Sequence, residues 1–339
     1  MPLLEITDLV IAHDPETRER LPVRRDEIVA RLAAAGDRSG ARIAARLPCD
    51  GDGVLDPGAV DRRLIAVHTE LQRLSEELRV GERITELLGP ILTAVRAADP
   101  GARLRVVDVG CGLGYLIRRL AAGAGPCARR AARLPGPAPA VDFAGVELIG
   151  VDHNAALVAE ADRLARAENL PCRFVRGDAF ALDEPATVHV STGVLHHFRG
   201  PELDAFFTAQ SAAATGAAAF CHYDIAATGL AAVGARVFHR ARMRDPLGRH
   251  DGVVSARRAH DDATLLRAAA RAEGMVPLVY EPKGRSNPFC TTLRPVIGIR
   301  PELLPGLRAA LGSRSSGRLV GELPARAPAP GPVPPERRR

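Results

Sequence analysis

The chain has a single lysine, no closely spaced cysteine pair and no long apolar run, and each absence narrows what it can be. Lys283 is that lysine, so the formal charge of +6 rests on arginine, in a chain also rich in Ala, Gly and Pro. The pattern reads as coding bias before it reads as a nucleic-acid surface. The six cysteines, Cys49, Cys111, Cys127, Cys172, Cys221 and Cys290, include no C-x-x-C pair, which argues against a zinc site or a disulfide framework and for a reducing compartment. No apolar stretch reaches the roughly 18 residues of a membrane span, and the start lacks a charged-then-apolar leader pattern. A soluble, cytoplasmic protein is expected. What the chain does have is length: 339 residues, 46% of them hydrophobic, suffice for one large or two ordinary domains.

The most informative stretch runs from Leu104 to Ala121. Leu104, Val106, Val107 and Val109 suit a buried parallel strand, and Tyr115, Leu116, Ile117 and Leu120 recur at helical spacing. Between them lie Gly110, Gly112 and Gly114, which can take positive φ and let a ligand lie on the backbone, while the following helix offers unpaired N–H groups to a negative group. The dinucleotide fingerprint G-x-G-x-x-G counted from Gly110 would need glycine at 115, where the chain has Tyr115.

The pattern Asp108-x-Gly110-x-Gly112-x-Gly114 instead resembles motif I of the class I S-adenosylmethionine-dependent methyltransferases. In that family the glycine loop, here Gly110, Cys111, Gly112, Gly114 and Tyr115, backs the methionine part of the cofactor, and the acid at Asp108 helps to hold its amino group. Further matches follow in order. Val146–Asp152 reads as the next strand, and an acid at its end is where a doubly wound site needs a ribose partner. The resemblance gives that role to Asp152, with His153 beside it. Cys172–Arg176 leads into Gly177-Asp-Ala-Phe180, where the resemblance implies that Asp178 and Ala179 meet the adenine. Thr187–Ser191 then leads into Thr192-Gly-Val-Leu-His-His-Phe198, close to the corresponding motif of small-molecule methyltransferases related to the quinone C-methyltransferases. Ser191, Thr192 and Gly193 would lie beneath the cofactor. His196 and His197 would face the acceptor, as candidate bases or as loop and cofactor packing, since imidazole titrates near neutrality. His222, Tyr223 and Asp224, ending the strand Ala217–Ile225, are expected substrate contacts, with satisfied core groups as the alternative. His239 and His250 read as surface residues, and no metal is expected.

The expected fold is α/β, a doubly wound Rossmann-like sheet of seven strands whose last, Thr291–Ile299, runs antiparallel beside Met275–Tyr280. Residues 1–100 read as a helical region, either a lid or a dimerisation surface. Its helices would cover Glu27–Ala35, Arg42–Leu47, a stripe from Val60 to Leu78 and another from Ile84 to Val95. Pro48–Gly53 lacks the later acid of a calcium loop and reads as a turn. The methyltransferase domain would span 101–311, with insertions at 123–145 and at 227–260, the second basic and covering the site. Asp261–Gly274 reads as a capped helix, and residues 312–339 as a disordered tail. The resemblance covers roughly 104–300. It implies methyl transfer from S-adenosylmethionine to the oxygen or carbon of a small molecule. A nucleic-acid methyltransferase and a non-catalytic cofactor-binding regulator remain open, although the Asn-Pro-Pro-Tyr motif for base nitrogens and recognisable nucleic-acid modules are absent.

Overall fold

The computed structural model describes residues 3–14, 17–123, 143–212, 216–281 and 293–321. Most of the expected insertion at 123–145 and residues 322–339 of the expected tail lie outside the described residues.

An N-terminal layer comes first. A four-residue helix α1 (Ile6–Leu9) precedes a two-residue hairpin, β1 (Ala12–His13) with β2 (Arg20–Leu21), and then α2 (Arg25–Ala34), α3 (Arg38–Ala44), α4 (Pro57–Glu77) and α5 (Val80–Ala98). The expected helices are present, with α3 starting four residues early because Asp37 caps it by accepting from Gly40 N at 2.8 Å. Asp56 does the same for α4, with Pro57 in its first turn. Pro48–Gly53 is a turn, in which Asp50 Oδ1 accepts from Asp52 N and Val54 N.

The large sheet contains β3 (Arg105–Val109), β4 (Glu147–Asp152), β5 (Arg173–Arg176), β6 (Val188–Thr192), β7 (Ala219–Ile225), β8 (Val276–Tyr280), β9 (Leu293–Ile299) and β10 (Leu319–Val320). Its order is β10-β8-β9-β7-β6-β3-β4-β5. The five strands from β3 to β7 pair in parallel, and β9 runs antiparallel to both β7 and β8. The seven expected strands are all present, and the two-residue β10 adds an eighth against β8.

Both faces of the sheet are covered, and alternation along the strands decides which residue goes where. Val106, Leu148, Val188 and Ile297 pack in one cluster with residues of α5, of α6 (Tyr115–Gly123), of α7 (Ala155–Ala167) and of a helix over Leu304–Ser316. Val107, Ile149, Phe220 and Val279 pack on the other side with residues of α8 (Pro201–Gln210) and of the helix over Asp262–Ala269.

The segment 227–260 forms two helices, α9 (Ala231–Arg242) and α10 (Pro246–Arg258). Asp262–Ala269 is α11 and Leu304–Ser316 is α12. The disorder expected from Gly312 starts too early on the chain, because α12 kinks at Gly312 (φ 73°) and continues to Ser316 before β10. The absence of apolar periodicity misled there: a strand of two residues needs backbone partners more than side chains.

The N-terminal layer and the α9–α10 segment are tied together. Arg63 on α4 forms a two-pronged pair with Asp245 at 3.1 and 2.9 Å, and Glu70 accepts from Arg244 N and Asp245 N. Leu247 of α10 packs into the N-terminal core with Ile6, Leu32, Val60 and Leu64. Among the described residues no helix is long and apolar enough to cross a membrane, and Cys49, Cys111, Cys172 and Cys221 are free thiols.

Candidate active site

The strand order reverses between β3 and β6, which is where an open parallel sheet leaves a crevice beyond its carboxyl ends. A cavity of about 670 Å³ opens there. Its floor is the loop after β3 and the ends of β4 and β6. Its roof comes from residues 5–11, from α4 and from α9–α10. The N-terminal region reaches the cavity through Leu64, Val67, His68 and Leu71.

At the glycine loop the geometry is set by close approaches. Gly110, Gly112 and Gly114 all have positive φ (72°, 54° and 69°). A Cβ on Gly112 would lie 2.7 Å from His68 Nδ1, and one on Gly114 would lie 2.2 Å from the Phe174 ring. The loop's own N–H groups are spent internally. Gly110 and Cys111 donate to Val151 O, Gly112 donates to Asp152 Oδ2 at 2.8 Å, and Gly114 donates to Cys111 O. Such a loop cannot cradle a phosphate as a nest of open donors does.

What this end offers instead is a pair of buried carboxyl groups. Asp108 is 4% exposed, and no donor among the described residues hydrogen-bonds to its carboxylate. Burial, with Asp152 nearby, pushes its carboxyl up to about 8. Asp152 is 6% exposed and accepts one backbone bond on each oxygen, from Gly112 N and from Asn154 N at 2.9 Å. A carboxylate oxygen has a second lone pair, so both remain able to accept from hydroxyls. His153 is exposed beside it, with Nδ1 3.6 Å from Asp152 Oδ1. Farther along, half-buried Asp178 and Ala179 line the cavity, with Asp178 Oδ1 accepting from Phe180 N. Tyr115, Thr192 and Gly193 also line it, and the Thr192 hydroxyl is buried without a partner.

Two residues expected around the cofactor lie elsewhere. Gly114 packs against Phe174 outside the lining. Ser191 is fully buried, its Oγ 2.9 Å from His222 Nδ1.

The other end is built around His196 and His197, in a single 3₁₀ turn over Leu195–His197. Their rings lie 4.4 Å apart. Asp224 accepts from His196 N and from His196 Nδ1, both at 2.8 Å. The two bonds from His196, working against burial, hold the Asp224 carboxyl below the usual carboxylate range. The Asp224 carboxylate is thus ionised and is bonded to Nδ1 of His196, which leaves Nε2 as the ring nitrogen on the Glu5 side. Arg258 clamps the turn from α10 by donating to His197 O at 2.6 Å, and His260 Nε2 lies 3.1 and 3.0 Å from the carbonyls of Leu195 and Phe198.

Of the three expected substrate contacts, His222 and Tyr223 do not reach the cavity. Successive side chains on a strand point to opposite faces. His222 therefore stacks on Phe220 among the α8 phenylalanines, while Tyr223 turns to the α5 side and donates its hydroxyl to Arg83 O at 3.0 Å. Asp224, at the strand end, serves the histidine turn instead.

Residues that the sequence did not flag complete this end. Glu5 is 2% exposed, with Oε1 3.7 Å from His196 Nε2 and Oε2 3.8 Å from His197 Nδ1. Burial pushes its carboxyl up to about 8, the nearby His197 acting the other way. His197 Nδ1 donates to Asp8 at 2.8 Å, and His197 and Arg258 outweigh burial to hold Asp8 down at about 2. Glu5 precedes α1 but does not cap it; Asp251 of α10 does, accepting from Ile6 N at 3.0 Å and Thr7 N at 2.8 Å. That borrowed cap leaves the Glu5 carboxyl free to face the histidines. His250, expected on the surface, is instead held between Asp37 and Asp251 at 2.6 Å each, and His239 lines the cavity with Nδ1 buried and unpartnered.

No family model and no curated protein sequence matches the chain. Solved structures do. Magnesium protoporphyrin IX methyltransferase (ChlM) from Synechocystis PCC 6803, with bound SAH, is 17% identical over 81% of this chain and 99% of that one, at a TM-score of 0.41. The plantazolicin methyltransferase BpumL, in complex with a monoazolic desmethylPZN analog and SAH, is 11% identical over 81% and 98%, at 0.46. The methyltransferase domain of bacterial CtHen1 is 14% identical over 62% and 97%, at 0.40. These are likenesses of shape, and the chemistry has to be argued from the residues.

Proposed function

We propose that the chain is an S-adenosylmethionine-dependent methyltransferase acting on a small, largely apolar molecule through a hydroxyl or an activated carbon. The observation that carries this reading is Asp108: a buried carboxylate with no donor among the described residues, on the floor of the cavity beside a second buried acid. Two acids and a glycine loop with its N–H groups already used disfavour a polyphosphate and favour a cationic nucleoside. Asp108 would take the cofactor's ammonium, Asp152 the ribose hydroxyls, and Asp178 with Ala179 the adenine. Thr192 and Gly193 would support it from below. When bound, this cofactor supplies an activated methyl group on a sulfonium, open to in-line displacement.

The chain's own residues would do the rest. Ile11, Leu64, Leu71, Phe198 and Phe238 give the cavity apolar walls, and residues 5–11, α4 and α9–α10 roof it. Holding two reactants in line can supply about 7–11 kcal/mol, whereas a general base at 10²–10⁴-fold supplies about 3–5.5 kcal/mol. Orientation by the walls is therefore the larger contribution. His196, fixed by Asp224, offers Nε2 to the acceptor's proton as the smaller one. The apolar walls support a small acceptor over a nucleic acid. The quinone-type subclass rests only on the Val194–Phe198 segment.

The test is incubation of the purified chain with methyl-labelled S-adenosylmethionine and a fractionated extract of small metabolites. Label is expected in an organic-soluble product and not in RNA. Absence of transfer, with cofactor bound, would leave a non-catalytic binding protein.

A further inference from the structure

We infer that Glu5, His196 and His197 form a site for one borderline divalent cation of the Zn²⁺, Co²⁺ or Fe²⁺ kind at the acceptor end of the cavity. One ligand atom from each residue lies within 4.8 Å of the other two. The separations of 3.7 Å from Glu5 Oε1 to His196 Nε2 and 3.8 Å from Glu5 Oε2 to His197 Nδ1 are too long for hydrogen bonds. They are near the edge of a coordination tetrahedron, about 3.4 Å when ligands stand ~2.1 Å from the metal. Ser255 and Asp8 bond Glu5 and His197 from outside the set, but none of the three residues is hydrogen-bonded to another, and a cation between them would satisfy all three.

The surroundings fit a metal ligand set in a second, independent way. The Asp224 carboxylate fixes the His196 tautomer through Nδ1 and leaves Nε2 as a donor, the arrangement that orients ligating histidines in metal centres. Ser255 donates to Glu5 Oε1 at 3.0 Å and so fixes that carboxylate as well. Asp8, now bonded to His197 Nδ1, is the adjacent carboxylate able to serve as a further ligand when His197 turns to the metal. Arg258 stands 3.4 Å from Glu5 and 2.7 Å from Asp8 and competes for the same charge. Its second guanidinium nitrogen donates to the His197 carbonyl at 2.6 Å. Two imidazoles with one carboxylate suit borderline metals better than Mg²⁺ or Ca²⁺, which prefer all-oxygen shells.

The site opens into the cavity, so a coordination position faces the acceptor. The use of that position rests on the proposed function: an acceptor whose oxygen, phenolic or alcoholic, binds the cation would lose its proton more easily. His196 Nε2 would then be a ligand instead of a base, and the proton of the metal-bound hydroxyl would leave to solvent water before the methyl group is transferred to the oxygen.

The experiment is a titration of chelator-stripped protein with Co²⁺, followed by visible absorption, with Zn²⁺ as competitor. About one equivalent of Co²⁺ is expected to bind and to be displaced by Zn²⁺, with affinity at least 10-fold weaker in E5Q and in H197Q and 10–100-fold weaker in the positioning variant D224N. S-adenosylmethionine binding by each variant is the folding control, since its residues lie at the other end. Should a variant fail that control, displacement of Co²⁺ by Zn²⁺ in the parent, together with imidazole-nitrogen signatures in its Cu²⁺ electron resonance, decides the ligand set. Failure to bind Co²⁺ stoichiometrically, or binding unchanged in folded E5Q and H197Q, overturns the site while leaving the methyltransferase reading intact. Cation binding without S-adenosylmethionine binding does the reverse.

Discussion

The two ends of the cavity are built on different principles. At the glycine-loop end Asp108, Asp152 and Thr192 stand in strand-end positions that the parallel sheet sets side by side, with His68 of α4 approaching from the cover. At the histidine end Glu5 and Asp8 arrive from a four-residue helix, His196 and His197 from a 3₁₀ turn, Asp224 from β7, and Asp251, Ser255 and Arg258 from α10. One end is determined by the sheet, whose core tolerates little change. The other depends on two covering segments held by caps and ion pairs. The lesson is that the cofactor end should respond to substitution by losing affinity or fold, and the acceptor end by losing turnover.

The largest expected effect that separates the ends is at His196. Replacement by alanine should lower kcat about 10²–10⁴-fold and leave the cofactor Kd within about twofold, as read from methyl-transfer rates and calorimetry. A parallel loss of cofactor affinity would merge the two ends into one.

Next is Gly114→Ala. The Cβ would lie 2.2 Å from Phe174 at a φ of 69°, and overpacking plus a left-handed alanine should cost about 2–5 kcal/mol. Thermal melting without cofactor should show a drop of several degrees or more. An unchanged Tm would mean that the loop is not clamped between β3 and Phe174.

Asp108→Asn should weaken S-adenosylmethionine binding by about 10–150-fold, the 1.5–3 kcal/mol typical of a hydrogen bond to a charged group. It also carries a pH signature. The free-protein pKa of Asp108 is raised to about 8, so below that pH the carboxyl holds a proton that a bound ammonium must displace. Affinity should therefore rise from pH 6 toward 8 in the parent and lose that slope in the Asn variant. By the same sign, the ligand-free protein should lose stability as pH rises through this window, because the folded state binds the extra proton there.

The smallest effect is at the cover. Asp251→Ala removes the cap of α1, about 0.5–2 kcal/mol by analogy with other helix caps. It should raise KM for the acceptor through displaced Glu5 while the cofactor Kd stays unchanged. Equal effects on both would show that the cover also shapes the glycine-loop end.

The same contrast explains how much could be read from sequence. Asp108, Gly110, Gly112, Asp152 and Asp178 are legible because they sit at or shortly after the ends of apolar strand runs, in the order that the resemblance to the methyltransferase motifs implies. The seven main strands and four of the N-terminal helices followed from periodicity in the same way. Glu5 carries no such mark: an acid ahead of a four-residue helix looks like surface until Asp251, far along the chain, takes over the cap. His68 reads as one more polar position on α4, and only the approach of that helix to Gly112 gives it a place. His222 and Tyr223 were misplaced for a reason visible in the sequence, since three consecutive strand residues cannot all face one cavity. The short β10 was missed because backbone pairing, not patterning, makes it.

Calorimetric titration of S-adenosylmethionine into the parent and the Asp108→Asn variant, with ATP and NAD⁺ injected as controls, tests the central claim most directly. The account predicts one site per chain for S-adenosylmethionine, at least tenfold weaker in the variant, and no heat from either phosphate-bearing nucleotide. Tight binding of ATP or NAD⁺, or S-adenosylmethionine binding indifferent to Asp108, would contradict it.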